Sequence, residues 1–140
     1  MPFIHTHVST ALTPSQEETL KEQFGRAIAC IPGKTEEWLM LEFEDSRRMW
    51  FRGSREPMAM VDVSLFGGAS DDAYEKLTAR LTAILEEVLG LSPQNIYVKY
   101  SEYSHWGWNG GNFWPNRRQL QRNAPSGGRM GGWAFFGIWL

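Results

Sequence analysis

Apolar residues at Leu20, Phe24, Ala27, Ile28 and Ile31 recur at the i, i+4, i+7, i+8, i+11 spacing of one buried helical face. Just upstream, Thr13-Pro14-Ser15-Gln16 offers an N-cap, a proline for the first helical position and the glutamine of a capping box. The pattern predicts a helix that begins near Pro14 and is stopped by Pro32-Gly33. Phe3 to Val8, before the helix, is rich in β-formers, and Trp38 to Phe43, after it, reads as a buried strand. Met49-Trp50-Phe51 reads as a short strand, and the charged run Glu44 to Arg48 as the turn of a hairpin joining it to Trp38–Phe43.

The same plan then recurs. Met58 to Phe66 has the character of a strand, and Ser70-Asp71-Asp72 places an N-cap and two acids at the positive end of a second helix. Leu77, Leu81, Ile84, Leu85 and Val88 form its apolar stripe, Gly90 its C-cap, and Asn95 to Tyr100 a further strand. A β-α-β unit thus occurs twice, with a period of roughly 58 residues. The expected fold class is α+β, with the two repeats sharing a four-stranded mixed sheet. Right-handed crossovers place both helices on one face of it. The other face is left bare, and bare sheet faces that carry Trp, Met and Phe imply oligomerisation.

Composition narrows the class. A chain of 140 residues has room for one domain, and 42% hydrophobic with 21% charged residues is the balance of a packed domain, not of a disordered chain. A net charge of -2 supplies no basic field for phosphates, so no nucleic-acid partner is expected. The lone Cys30 makes no internal disulfide and no cysteine cluster for zinc. The first residues lack a basic region followed by an apolar core, and the apolar end Trp133–Leu140 is too short to span a bilayer. No membrane partner is expected, and a cytoplasmic location follows, with export without a leader left open. Residues 114–140 hold five glycines, four arginines and no acid, which leaves -6 on residues 1–113. This Gly/Arg-rich C-terminal extension reads as a flexible appendage.

The residue with most chemical content is Pro2. Removal of Met1 turns its nitrogen into a secondary amine, whose usual α-amino pKa lies near 7.7 to 8.0 and falls on burial, which makes a base at neutral pH. A Met-Pro start also serves simply to open an edge strand, and spacing alone does not separate the two readings.

Longer motifs do. Pro2-Phe3-Ile4 at the start, Pro32-Gly33-Lys34, Ser54-Arg55-Glu56-Pro57, Leu91-Ser92-Pro93-Gln94-Asn95-Ile96-Tyr97-Val98, and Gly107-Trp108-Asn109 with Phe113 make the chain resemble the macrophage migration inhibitory factor family of the tautomerase superfamily, in particular its bacterial and protist members. The resemblance covers essentially residues 2–113, which it identifies as a tautomerase domain. It implies a homotrimer of β-α-β-β-α-β subunits with active sites at the subunit interfaces. It implies a cofactor-independent keto-enol tautomerase (an isomerase) of phenylpyruvate-like aromatic keto acids and dopachrome-type substrates.

Carried over by position, Pro2 matches the catalytic base, Lys34 the pocket lysine and Tyr97 a tyrosine contributed by the neighbouring subunit. A keto acid needs a base to move a proton between carbon and oxygen, a cation for its carboxylate and a donor at its enol oxygen, and these three supply them. Phe66 matches the residue whose backbone N–H binds the carboxylate. Trp38, Trp108 and Phe113 match aromatic residues lining the pocket, as suits an aryl substrate. Read without the resemblance, Lys34 is a solvated charge past a helix end, and Tyr97 and the aromatics are packing. Three departures stand out. Lys99 replaces an asparagine two residues after the tyrosine and adds a second cation near the pocket. Met58-Ala59-Met60-Val61 replaces a vertebrate Cys-x-x-Cys, which removes thiol redox chemistry. The chain also runs 27 residues beyond the usual end at Phe113. His5 and His7 share one strand face and His105 is remote in sequence, a set from which no metal is assigned. A cytokine-like, non-catalytic interaction protein with a receptor partner is the competing reading on the same fold.

Overall fold

The computed structural model describes residues 1–113, and the extension 114–140, expected to be a flexible appendage, lies outside the described residues. The first strand, β1, spans Pro2–Val8, with alternate residues buried throughout. Helix α1 spans Pro14–Ala27. Its first turn carries the expected capping box: Gln16 N–H donates to Thr13 Oγ1 at 3.1 Å, and Thr13 N–H donates to Gln16 Oε1 at 3.0 Å. The helix tightens to a 3-10 turn at Ile28–Cys30, before the proline. A residue preceding proline is pushed out of the α region, and Ile31, at φ -91° and ψ 114°, is extended as this requires.

A second 3-10 turn at Glu36–Trp38 precedes β2, Met40–Glu44, so the strand starts two residues later than its apolar pattern implies. The expected hairpin between Trp38–Phe43 and Met49–Phe51 does not form. β2 pairs in parallel with β1, and Met49-Trp50-Phe51 is no strand. Phe51 instead bridges Ser54 around Arg52 and Gly53, both at positive φ, in a two-residue turn of the kind that closes tight hairpins. Its ring packs edge-on against Tyr97, 4.9 Å away, so the segment covers apolar surface at the far end of the sheet instead of extending β2.

The second repeat follows with β3 (Ala59–Phe66), α2 (Asp71–Leu89) and β4 (Ile96–Tyr103). Ser70 caps α2, its Oγ accepting from Ala73 N–H at 3.2 Å, and Gly90 closes it in the left-handed region at φ 70°. A hairpin of β5 (Trp106–Trp108) and β6 (Gly111–Phe113) ends the described chain, turning at Asn109 and Gly110, both with positive φ. The main sheet has the order β2-β1-β3-β4, with β1 antiparallel to β3 and the two outer pairings parallel. It is the α+β, four-stranded mixed sheet expected from the two repeats.

Strand alternation sorts the side chains into two sets. Ile4, Val8, Val61, Val63 and Leu65 join Leu20, Phe24, Leu77, Leu81 and Leu85 from the two helices in one core. The opposite face differs from the bare apolar face expected. Its centre carries His5, His7, Glu42, Glu44, Asp62 and Lys99, joined by contacts of 3.0 to 3.7 Å. Apolar residues of that face flank this cluster on the inner strands, Phe3 on β1 and Met60 and Phe66 on β3, and on the edge strands, where Met40 and Tyr97 are well exposed. The period-two pattern marks a residue as facing away from the helices, but which charges meet there depends on the register of four strands.

Candidate active site

The site is built around the first residue of β1. Pro2 is buried and stands opposite Leu65 on β3. This register carries Met1 alongside Phe66, whose N–H donates to the Met1 carbonyl at 3.0 Å. The other backbone group of Phe66 is taken as well, because its carbonyl accepts from Lys34 Nζ at 3.2 Å. Lys34 gets there because Gly33, at φ 81°, turns the chain sharply after the 3-10 turn and Lys34 N–H closes that turn on the Ile31 carbonyl at 3.1 Å.

The terminal amine lies at this same point. Burial, then the charge of Lys34 and a hydrogen bond with it, lower its pKa from 8.0 to about 5. A terminal amine held here is therefore neutral at pH 7, with a lone pair available as a base.

Aromatic rings close one side. Phe66 packs on Phe113 at 5.7 Å between centroids, Phe113 stacks near Trp108 at 6.4 Å, and Trp108 meets Trp38 edge to face at 5.0 Å. Trp38 reaches this wall from the 3-10 turn ahead of β2, and Trp108 and Phe113 from the two strands of the terminal hairpin. Pro2, Lys34, Phe66, Trp38, Trp108 and Phe113, scattered through the whole domain, are thus brought together.

Tyr97 and Lys99 are not. Tyr97 pairs with Met60, five positions along β3 from the Leu65 that faces Pro2, which is about 17 Å at ~3.3 Å per residue. It is 57% exposed, on an edge strand. Lys99 lies on the open face with its ammonium 3.0 Å from Asp62, so its charge is matched there within the subunit. Within one chain, neither residue points at the Pro2 end. Sequence reasoning also missed a shallow cleft lined by Phe3, Ser64, Tyr103 and Trp106, which opens beside the same end of the sheet. The alternation of β1 and β3 carried half of that signal, since Phe3 and Ser64 are direct cross-strand partners.

Among the described residues no helix is long and apolar enough to cross a membrane. Comparison with known proteins places the whole described domain. The family model of macrophage migration inhibitory factor (MIF) matches residues 1–114. The macrophage migration inhibitory factor of Meriones unguiculatus is 29% identical over 118 residues, which cover 81% of this chain and 97% of that protein. The crystal structure of Leishmania major MIF2 superposes with a TM-score of 0.76 at 34% identity, covering 81% of this chain and 97% of its own. The homologue from Prochlorococcus marinus shares the fold at a TM-score of 0.71 and 24% identity, over 79% of this chain and 98% of that one. The match begins at the residue that bears the buried amine and runs past the last aromatic of the wall, and the chain belongs to the macrophage migration inhibitory factor family, within the tautomerase superfamily.

Proposed function

We propose that the chain, once Met1 is removed, is a cofactor-independent keto-enol tautomerase of phenylpyruvate-like aromatic keto acids, dopachrome-type substrates included, with the Pro2 nitrogen as base. The observation that carries this reading is what Met1 covers. Its carbonyl occupies the Phe66 N–H, and its amine sits beside Lys34, where burial and a neighbouring cation keep an amine uncharged. Removal of that one residue exposes a secondary amine in the same surroundings and frees a backbone donor next to the Lys34 ammonium.

The chemistry follows from those groups. Lys34 and the freed Phe66 N–H hold the substrate carboxylate, and Trp38, Trp108, Phe113 and the Phe66 ring flank its aryl group. The Pro2 nitrogen removes a proton from the carbon next to the ketone, and negative charge grows on the carbonyl oxygen. A hydroxyl donor then protonates that oxygen to give the enol, and the reverse sequence ketonises it. Tyr97 fills the donor role only from a second copy, since its own subunit holds it about 17 Å from Pro2. Lys99 enters the pocket on the same condition, as a second cation. A homotrimer is the assembly we assign, and the outer strands β2 and β4 each lack a second strand neighbour among the described residues.

The test separates the roles. Lys34→Met keeps the aliphatic stem and loses the charge. It should lower kcat/KM for phenylpyruvate by about 10- to 100-fold, the worth of a hydrogen bond to a charged group, chiefly through KM. Because Lys34 depresses the amine pKa, its removal should also move the acid limb of the kcat/KM profile to higher pH. As pH falls the base is protonated and activity is lost, so the variant loses activity at a higher pH than wild type does. An unchanged limb contradicts the reading.

Assembly has its own measurement. Light scattering should give three times the 16.0 kDa chain mass. Pro2→Gly and Tyr97→Phe chains, each expected to be well below wild type in activity, should regain part of it when unfolded and refolded together, because a mixed trimer contains interfaces where both native residues meet. Residues 1–113 are the unit to which we assign the activity. Deletion of 115–140 should accordingly leave the trimer intact and the rate within about twofold, below roughly 0.4 kcal/mol in the barrier.

A further inference from the structure

We propose that the open face of the sheet is a binding site for a divalent transition-metal ion, zinc in the first place, with His5, His7 and Glu44 as its protein ligands. His5 and His7 are alternate residues of β1, so both imidazoles leave the strand on one side, with ring centroids 4.1 Å apart. The parallel register of β1 with β2 sets Glu44 directly beside His7. One carboxylate oxygen, Glu44 Oε2, lies 3.2 Å from His5 Nε2 and 3.1 Å from His7 Nδ1. One ligand atom from each of the three residues falls within 4.8 Å of the other two. A tetrahedral ion with bonds of about 2.0 to 2.2 Å separates its ligand atoms by roughly 3.4 Å, so small adjustments suffice to admit one.

Ion pairing accounts for only part of the cluster. His5 Nε2 is shut off from water and has no hydrogen-bond partner among the described residues, although two carboxylates lie within 3.5 Å of it. A nitrogen so close to carboxylate oxygen yet not aligned with it is arranged for a shared ion, not for an N–H···O bond.

The surroundings hold the ligands in place. Arg47 takes the other oxygen of Glu44 at 2.9 Å, which leaves Oε2 to face the imidazoles. Asp62 Oδ2 lies 3.7 Å from His7 Nε2 and so favours Nδ1 as the ligating nitrogen, and Lys99 anchors Asp62 in turn at 3.0 Å. Two imidazoles and one carboxylate are a donor set suited to zinc, with the fourth position open to water. His5, the ligand on β1 nearest to Pro2, sits three positions along the strand from it, about 10 Å at ~3.3 Å per residue, so the ligands are separate from the Pro2 of their own chain. Its ion would tie the edge strand β2 to β1 and offset the mutual repulsion of Glu42, Glu44 and Asp62.

The experiment is a titration of the chelator-treated full chain with zinc chloride, by calorimetry, in a non-coordinating buffer. The expected result is one zinc per chain and a melting temperature that rises with zinc concentration. Cobalt(II) in its place should show the strong visible absorption of a tetrahedral site. Glu44→Gln, close to isosteric, and His7→Ala should each weaken zinc binding by at least about tenfold, and Asp62→Asn by about tenfold through the orientation of His7. His105→Ala should leave it unchanged. Circular dichroism of each variant separates a lost ligand from a lost fold. Absence of saturable binding by the wild type overturns the proposal, as does binding that survives His7→Ala and Glu44→Gln in folded protein or that disappears with His105→Ala.

Discussion

Chain freed of Met1 is expected to ketonise phenylpyruvate enol, whereas chain carrying an extra, untrimmed residue ahead of Pro2 is expected to be inactive. In the extended chain the Pro2 nitrogen belongs to an amide and has no basicity, and the Phe66 N–H remains bonded to the preceding carbonyl, as it is to Met1 at 3.0 Å. Both the base and one carboxylate donor are lost together. General-base catalysis alone is worth about 10²- to 10⁴-fold, and loss of the carboxylate contact adds to it. The processed Pro2→Gly chain is the finer comparison. Glycine keeps a terminal amine but makes it primary and removes the ring that fixes the direction of its lone pair, so the base is no longer aimed at the substrate. A fall of about 100-fold in kcat/KM is expected, read by the ultraviolet decay of the enol, with intact mass confirming the processing of each sample. Equal rates for wild type and Pro2→Gly would sink the mechanism while leaving the fold untouched.

The largest expected loss of stability is at Phe24. Its side chain is fully buried, on the face of α1 turned toward the sheet, and its ring meets Phe43 of β2 at 5.8 Å. Phe24→Ala removes the ring from between the first helix and the edge strand. It should cost about 3 to 5 kcal/mol, the range for a buried phenylalanine whose cavity only partly collapses. Against a total of about 5 to 15 kcal/mol that is a large fraction. Urea unfolding at fixed protein concentration should show a lower midpoint with little change in slope. A change below about 1 kcal/mol would mean that Leu20, Ile28 and Phe43 close over the space and that the core is softer than its burial implies.

The amino-acid sequence determined those features of the protein that arise within a few residues of one another. Thr13 and Gln16 cap α1 because their side chains reach the backbone of the same turn, and Gly90 ends α2 because it takes a positive φ at little cost. The β-forming runs Phe3 to Val8 and Met58 to Phe66 marked two strands, whose pleat sends alternate residues to opposite faces. Pro2, Lys34, Phe66 and the aromatics were legible as candidates because their motifs stand in order along the chain. Tertiary structure alone decided how distant segments pair. Met49-Trp50-Phe51 has the composition of a strand, but β2 pairs only with β1, and the segment turns back at Arg52-Gly53 with Phe51 set edge-on against Tyr97 of β4. The contact of Met1 with Phe66 and the meeting of His5, His7 and Glu44 depend on the registers of β1 against β3 and β2. Those registers are fixed by which apolar residues must be buried under the two helices, and a slip of one residue turns every side chain to the opposite face. No local pattern contains that information, because the free energy that selects a register is spread over the whole core.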